Sequence, residues 1–319
     1  MLDKCLLVDV SLYNSRIDWK ILADNGVVGA IIRASAGSYR QDPLFIRHVE
    51  GAVEAGLVVG AYHWLDPNSE DEAQAKNFMQ TIAGYPVNFL ALDMEQNWKY
   101  WSEWYVHDVR HIIPGWRISE NAYRVASYVK KNVNSPLVIY TRASFVSAWA
   151  PQASAWLSKF NLWLAYYPYA RIKVNTTWDD LKTNYMPKVF GPLLPPGVEN
   201  WVLWQFSGDK FTLEGTGGSA IDLNLFNGTK QQFEQFISTG TPPVRTIDPV
   251  LPKKARTLYR LNVRSSTVVS WENIVGKLNP GTIVDVYELR RVGLDLWARI
   301  GPNQWVAMMY RNVRLMVWV

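Results

Sequence analysis

The stretch FLALDME, residues 89–95, is the most informative part of the sequence, because it is a short apolar run that ends in two acidic side chains. Residues two apart in a β-strand face the same side. Asp93 and Glu95 are therefore predicted to point the same way at the carboxyl end of this strand. The apolar side chains at the alternate positions are predicted to face helices on the other side of the strand: Leu90, Leu92 and Met94.

Eight apolar runs of this kind occur in the first 230 residues, and helical stretches separate most of them. They are LLVDV (6–10), VGAIIRA (28–34), LVVGAYHW (57–64), FLALDME (89–95), LVIYT (137–141), LWLAYY (162–167), VLWQF (202–206) and AIDLN (220–224). Strands that alternate with helices predict a parallel sheet, and eight of them predict a closed, TIM-like (β/α) barrel of the α/β class. The last three runs are joined by loops with little helical pattern, so we expect an irregular barrel there.

The chain divides by composition into three parts. Residues 1–238 hold the predicted barrel, and residues 239–253, with four prolines, read as a semi-rigid linker. Residues 254–319 hold short β-type runs separated by Asn-Pro-Gly and Gly-Pro-Asn turns, which predict a small all-β barrel. This last part has ten Lys and Arg against four Asp and Glu, a net charge of +6. Such a charge indicates either an anionic partner, for example a wall polymer, or only solubility.

Several classes of protein are excluded or disfavoured by composition. No apolar run is long enough to span a bilayer, so membrane insertion is not predicted. Cys5 is the only cysteine, and the pair His107 and His111 lacks a Glu at the spacing of a zinc-hydrolase motif. We therefore predict no metal and no cofactor. Nucleic-acid binding is also disfavoured, because no helix-turn-helix, aromatic RNP run or zinc spacing is present.

Two connections are longer than usual, residues 96–118 and 168–200. The first is rich in aromatic residues, among which Trp98, Trp101 and Trp104 recur at three-residue spacing. On a helix this spacing would place them along one face. That face would either pack on the barrel or form one wall of a substrate groove, and packing is the favoured alternative.

Four carboxylates are predicted to converge on one mouth of the barrel. Asp9 ends the first strand and Asp222 lies in the eighth, and these two strands are neighbours when a barrel closes. With Asp93 and Glu95 they form an acidic cluster in which repulsion raises the pKa of one member. Clustered carboxylates without metal-type histidines are typical of glycosidic bond cleavage.

Aromatic and polar side chains at the strand ends are predicted to complete the site. Aromatic faces stack on sugar rings, and strand-end aromatics include Trp64 and Tyr167. The residues expected to bind substrate are Tyr62, His63, Arg33, Tyr140, Tyr166, Trp204, Gln205 and Asn224.

The successive motifs resemble those of glycoside hydrolase family 25. They are DVSLYNSRIDW, GAIIRAS, GLVVGAYHW, ALDMEQ, VIYT, LWLAYY, WQF and IDLNLF, in order over residues 5–235. The resemblance implies an N-acetylmuramidase, or lysozyme, that cleaves the β-1,4 bond of peptidoglycan between N-acetylmuramic acid and N-acetylglucosamine. It places Glu95 at the catalytic acid position and Asp9, Asp93 and Asp222 at supporting acidic positions. The nucleophile would be either the N-acetyl oxygen of the substrate or water.

The last part of the chain resembles bacterial SH3-like domains over residues 256–315. The matching stretches are LNVRSS (261–266), PGT (280–282) and QWV (304–306). Such domains bind cell-wall peptide or polymer, or serve only as structural appendages. Because the start of the chain has no export signal, a phage endolysin held in the host cytoplasm until lysis is favoured. The alternatives are a secreted enzyme whose signal has been removed, a non-catalytic wall-glycan binder, and a glycosidase acting on chitin-like glycans.

Overall fold

A computed structural model describes residues 5–100, 111–168, 173–186, 191–242, 253–292, 295–310 and 313–319. Its first part is a mixed α/β unit in which the eight predicted apolar runs are all strands. The barrel strands are β1 (Leu6–Val10), β2 (Val27–Ala36), β4 (Val58–Trp64), β5 (Phe89–Asp93), β6 (Leu137–Thr141), β7 (Asn161–Ala165), β9 (Leu203–Thr212) and β10 (Ile221–Phe226). Two short strands attach to this sheet: β3 (Arg40–Gln41) on β2 and β8 (Val174–Asn175) on β9.

The strands close on themselves in the order β1-β10-β9-β7-β6-β5-β4-β2, and β2 pairs back with β1. The helices between them are α1 (Trp19–Asp24), α2 (Phe45–Glu54), α3 (Asp71–Ile82), α4 (Gly115–Asn132), α5 (Ala143–Trp149) and the one-turn α6 (Trp178–Asp180). No helix lies between β9 and β10. The barrel is therefore irregular on the side of its last strands, as the loop composition predicts.

The eighth strand departs from the predicted parallel sheet. β10 runs antiparallel to both of its neighbours, β1 and β9, and Asp9 is directly opposite Asp222 in the register. Since its direction is reversed, the amino end of β10 lies at the mouth where the other strands end. Asp222, the second residue of β10, therefore reaches the predicted mouth even though the predicted strand direction was wrong.

Two apolar layers follow from the alternation of side chains along each strand. Leu90, Leu92 and Met94 lie in the large cluster between barrel and helices, as predicted. Phe89 and Ala91 face the barrel interior. The floor of this interior is closed by α7 (Lys230–Thr239), whose Phe233 and Phe236 pack against Phe89. Among the described residues, the barrel interior is thus filled at the end opposite the mouth.

Helix α7 is bounded by local signals. Thr229 and Gln232 form a capping box at its start, and Gly240 ends it with φ of 70°, a left-handed conformation that favours glycine. The helix therefore reaches Thr239, the first residue of the predicted linker. Of that linker, residues 243–252 lie outside the described residues.

The described residues of the C-terminal part form β-strands and one 3-10 helical turn, Trp271–Asn273. A three-stranded sheet has the order β14-β11-β19, and a second sheet has the order β13-β12-β17-β16-β15 with β18 on β17. The strands are β11 (Lys253–Thr257), β12 (Leu261–Arg264), β13 (Ile274–Leu278), β14 (Ile283–Val286), β15 (Glu288–Val292), β16 (Asp295–Gly301), β17 (Gln304–Tyr310), β18 (Val313–Arg314) and β19 (Met316–Trp318). Their own apolar cluster includes Leu261, Ala298 and Val306.

The long aromatic connection is described only in part. Trp98 forms an isolated bridge with Ile112, and α4 begins at Gly115, inside the stretch predicted to be a loop. Trp101, Trp104 and His107 lie outside the described residues, so the choice between packing and groove stays open. Among the described helices, none has the length and apolar character needed to cross a membrane.

Candidate active site

The carboxyl ends of the parallel strands and the amino end of β10 surround a cavity of about 660 Å³. All four predicted acidic side chains line it: Asp9, Asp93, Glu95 and Asp222. Asp9 and Asp93 occupy inward positions at the ends of β1 and β5. Glu95 follows β5 by two residues and is half-buried at the rim. The strand ends thus bring together acids that are as far apart in sequence as positions 9 and 222.

Glu95 and Asp93 form the acid pair of this cavity. Burial, together with the negative charge of Asp9, raises the pKa of Glu95 from 4.5 to about 7, although Arg142 acts to lower it. Burial and then the charge of Glu95 hold the pKa of Asp93 well above its usual range. The buried Oδ1 of Asp93 has no hydrogen-bond partner. A carboxyl that keeps its proton near neutral pH can act as a general acid.

Asp9 and Asp222 form a second, hydrogen-bonded pair. The side-chain amides of Gln205 and Asn224 donate to Asp9 Oδ2 at 2.9 and 2.8 Å. Gln205 also lies 3.4 Å from Asp222 Oδ2, and the backbone N–H of Asp209 donates to Asp222 Oδ1 at 2.6 Å. Burial raises the pKa of Asp9 to about 6, against the lowering effect of its amide donors. The amides hold Asp9 in a defined orientation while it shares the cavity with other acids.

The orientation of the Gln205 amide is fixed by two phenols. Tyr140 and Tyr167 donate to Gln205 Oε1 at 2.8 and 2.6 Å, so its NH₂ group must face the carboxyls. Trp163 has the same function for Asn224, because its indole N–H donates to Asn224 Oδ1 at 2.8 Å. These donors form one connected network under the acids, which reduces the cost of burying them.

Arg33 lines the same cavity from β2, the strand beside the one that carries Asp9. It is 6% exposed, and its Nε donates to Asp42 Oδ2 at 2.8 Å. Its guanidinium carbon lies 5.3 Å from the centre of the Tyr13 ring. Tyr62, the residue beside Arg33 in the β2–β4 register, also lines the cavity.

Three residues predicted to bind substrate face away from the cavity. His63 is fully buried, with its ring nitrogens 2.8 Å from Ser35 Oγ and 3.2 Å from Gln74 Oε1, and burial lowers its pKa to about 4. Trp204 is buried among the helices and donates to the carbonyl of Tyr166, which stacks on it. The predicted placement of His63, Trp204 and Tyr166 in the cavity is wrong, because each is next to an inward residue along the chain and alternation turns it outward. Asn224 lies beneath the cavity and reaches it through Asp9.

The strand-end aromatics Trp64 and Tyr167 do line the cavity, and Trp163 and Asp209 line it as well. Trp163 could have been found from the sequence, since it lies two residues before an inward position on β7. Asp209 could not, because it depends on a backbone with φ of 49° in β9 that no residue pattern indicates. Among the described residues, no group of three His, Cys, Asp or Glu side chains is arranged to hold a metal ion.

The chain is similar in sequence and in structure to several known proteins. The model of "Glycosyl hydrolases family 25" matches residues 8–215. The protein YegX of Escherichia coli O157:H7 is 29% identical over 236 residues, 72% of each chain. Lysozyme M1 of Streptomyces globisporus is 26% identical over 232 residues, 70% of this chain and 67% of that one. The crystal structure of the lysozyme from Streptomyces coelicolor covers 74% of this chain and 98% of its own, with a TM-score of 0.57 and 22% identity. Since the family match spans more than half of the sequence and includes the first three acids of the cavity, the chain belongs to glycosyl hydrolase family 25.

Proposed function

We propose that this chain is a muramidase that hydrolyses the β-1,4 bond between N-acetylmuramic acid and N-acetylglucosamine in bacterial peptidoglycan. The observation that carries this proposal is Glu95, a half-buried carboxyl with a pKa of about 7 in a cavity with three further carboxyls. The similarity to Lysozyme M1 supports the choice of glycan.

In the proposed reaction Glu95 donates its proton to the glycosidic oxygen as the bond to the anomeric carbon breaks. Positive charge develops on the sugar ring, and Asp9, whose pKa of about 6 leaves it mostly ionised at neutral pH, stabilises that charge. The anomeric carbon is then attacked either by water or by the N-acetyl oxygen of the substrate, which an aspartate polarises. In either route water supplies the hydroxyl of the new reducing end, and its remaining proton returns to Glu95.

The sugar rings are expected to lie against the aromatic walls of the cavity. Tyr62 and Tyr140 both line the cavity and pack edge-on against Trp163, with ring centres 6.2 and 4.6 Å apart. Trp64 lies at the rim, where its indole N–H donates to Gln96 at 2.9 Å. Hydrogen bonds of this kind hold an aromatic ring in one orientation, as stacking on a sugar requires.

The experiment is digestion of purified walls with identification of the new reducing ends. Muramic acid at those ends supports the proposal, whereas glucosamine ends mean a glucosaminidase and binding without new ends means a non-catalytic binder. Glu95→Gln keeps size and hydrogen bonding but removes the proton donor, so turnover should fall by about 10²–10⁴-fold. Glu54→Gln, on the exposed surface of α2, is the matched control.

We propose further that residues 254–319 form an SH3-like module that holds the enzyme on an anionic wall polymer. Their net charge of +6 supports such a partner. A loop and the 3-10 helical turn that follows it present Trp271, 88% exposed, together with the exposed Val268 and Val269. Arg264 supports the loop from below, because it donates to the carbonyl of Ser270 and to Asn273 Oδ1. The role in phage lysis stays a prediction from the sequence.

A further inference from the structure

Arg33 is a buried cation whose hydrogen bonds are only partly made. It occupies an inward position on β2 and lines the cavity between Tyr13 and Tyr62. Asp42 accepts from its Nε alone, whereas its Nη2 is buried and has no hydrogen-bond partner. A buried charged donor without an acceptor is costly, so an acceptor supplied by a ligand is expected.

Asp42 holds the guanidinium in place through Nε and does not use its two Nη groups. Asp42 Oδ2 also accepts from the backbone N–H of Leu12 at 3.0 Å, and its Oδ1 accepts from Leu44 at 3.0 Å. The side chains of Arg33 and Asp42 are 7% and 1% exposed. This pair is therefore a rigid support for the guanidinium, and Nη2 is enclosed at the cavity lining without an acceptor.

The chemistry of the partner follows from the guanidinium. Its planar donors match a carboxylate, with which they form two parallel hydrogen bonds, better than they match a hydroxyl. The other cation that lines the cavity, among the described residues, is Lys173, which is exposed. A neutral chitin-type chain carries no carboxylate, but N-acetylmuramic acid carries one on its lactyl group when no peptide is attached.

We propose that Arg33 is the specificity-determining residue of this cavity and binds the lactyl carboxylate of the muramic acid ring. Where a stem peptide is attached, the amide carbonyl at the same place accepts a weaker hydrogen bond. This inference rests on the proposed muramidase function. A chain of N-acetylglucosamine alone offers this guanidinium no carboxylate.

The test compares binding of N-acetylmuramic acid with that of its methyl ester, by NMR titration of the full chain. The wild type is expected to prefer the free acid by on the order of 10- to 100-fold, the range of a charged hydrogen bond. Arg33→Met should remove this preference, and Arg33→Lys, which keeps the charge but loses the planar fork, should retain only part of it. Arg40→Met removes an exposed arginine outside the cavity lining and should leave the preference unchanged.

Equal binding of acid and ester by the wild type would overturn the inference, and so would an unchanged preference in Arg33→Met. If Arg33→Met does not fold, the wild-type preference and Arg33→Lys decide the matter: full wild-type preference in the lysine variant would equally overturn it. Failure of the proposed function is a separate result, since it appears as wild-type enzyme that releases no reducing ends from walls.

Discussion

Glu95 should set the alkaline limb of the pH–activity profile. Because burial raises its pKa to about 7, the acid form is the active one and is lost as the pH rises. A carboxyl with this pKa is about nine-tenths protonated at pH 6 and about one-tenth protonated at pH 8, so turnover should fall by about tenfold between these values. With an ordinary pKa near 4.5, only about 3% would be protonated at pH 6.

Arg142→Gln is the perturbation that isolates this effect. Arg142 is exposed at the start of α5, and its positive charge lowers the pKa of Glu95. Its removal should therefore raise that pKa and move the alkaline limb to higher pH. Since solvent and salt screen an exposed charge, we expect a shift of about half a pH unit, which should shrink at 1 M salt.

The assay is the initial rate of release of reducing ends from a soluble muroglycan between pH 4 and pH 9, at two salt concentrations. Arg47→Gln, which removes an exposed arginine on α2, is the matched control and should leave the profile in place. The acids titrate as a coupled group, so the limb reports an apparent value for the cluster. A limb near pH 4.5, or one that moves to lower pH in Arg142→Gln, would show that Glu95 does not set the alkaline limb.

The remaining predictions concern three other parts of the chain. Gln205→Leu removes an amide that lowers the pKa of Asp9. The acidic limb of the pH–activity profile, where activity is lost as Asp9 gains a proton, should therefore move to higher pH, and turnover should fall by about 10- to 100-fold. An acidic limb that does not move contradicts this. His63→Phe should lower stability by about 1–3 kcal/mol in thermal or urea unfolding, through the lost bonds to Ser35 and Gln74, while kcat/KM of the folded enzyme stays unchanged. A chain ending at residue 242 should hydrolyse soluble glycans at close to the full rate but bind intact walls less well. Equal activity on whole cells, or inactivity on soluble glycans, would reject the wall-binding role.

The eight barrel strands could be predicted from the sequence because each is an apolar run of the right length. The direction of β10 could not, since alternation with a period of two is the same whichever way a strand runs. The position of Asp222 at the mouth could be predicted for a reason that does not depend on the direction of β10: closure of the barrel makes the first and last strands neighbours. Its opposite position to Asp9 in the register follows from that pairing.

The substrate-binding residues show where residue type misleads. Histidine and tryptophan at a strand end suggest a site, yet His63 and Trp204 are outward because Tyr62 and Gln205 are inward. Strict alternation would have separated them. The pairing of Arg33 with Asp42 has no such signal, because Asp42 lies beyond the short strand β3 and reaches Arg33 only through the turn of the chain.

The acidity of the site depends on side chains that do not touch the substrate. Phe89, Phe233 and Phe236 close the barrel floor, and the largest influence on the pKa of Glu95, Asp93 and Asp9 is burial rather than the neighbouring charges. Burial disfavours the charged forms of these carboxyls, so a proton is retained near neutral pH. The network from Trp163, Tyr140 and Tyr167 then orients the aspartates without lowering every pKa to its value in water. Packing around the cavity and catalysis are therefore coupled: a change that admits water to the buried acids would lower the pKa of Glu95 and shift the active range of pH downward, with no change in any residue of the acidic cluster.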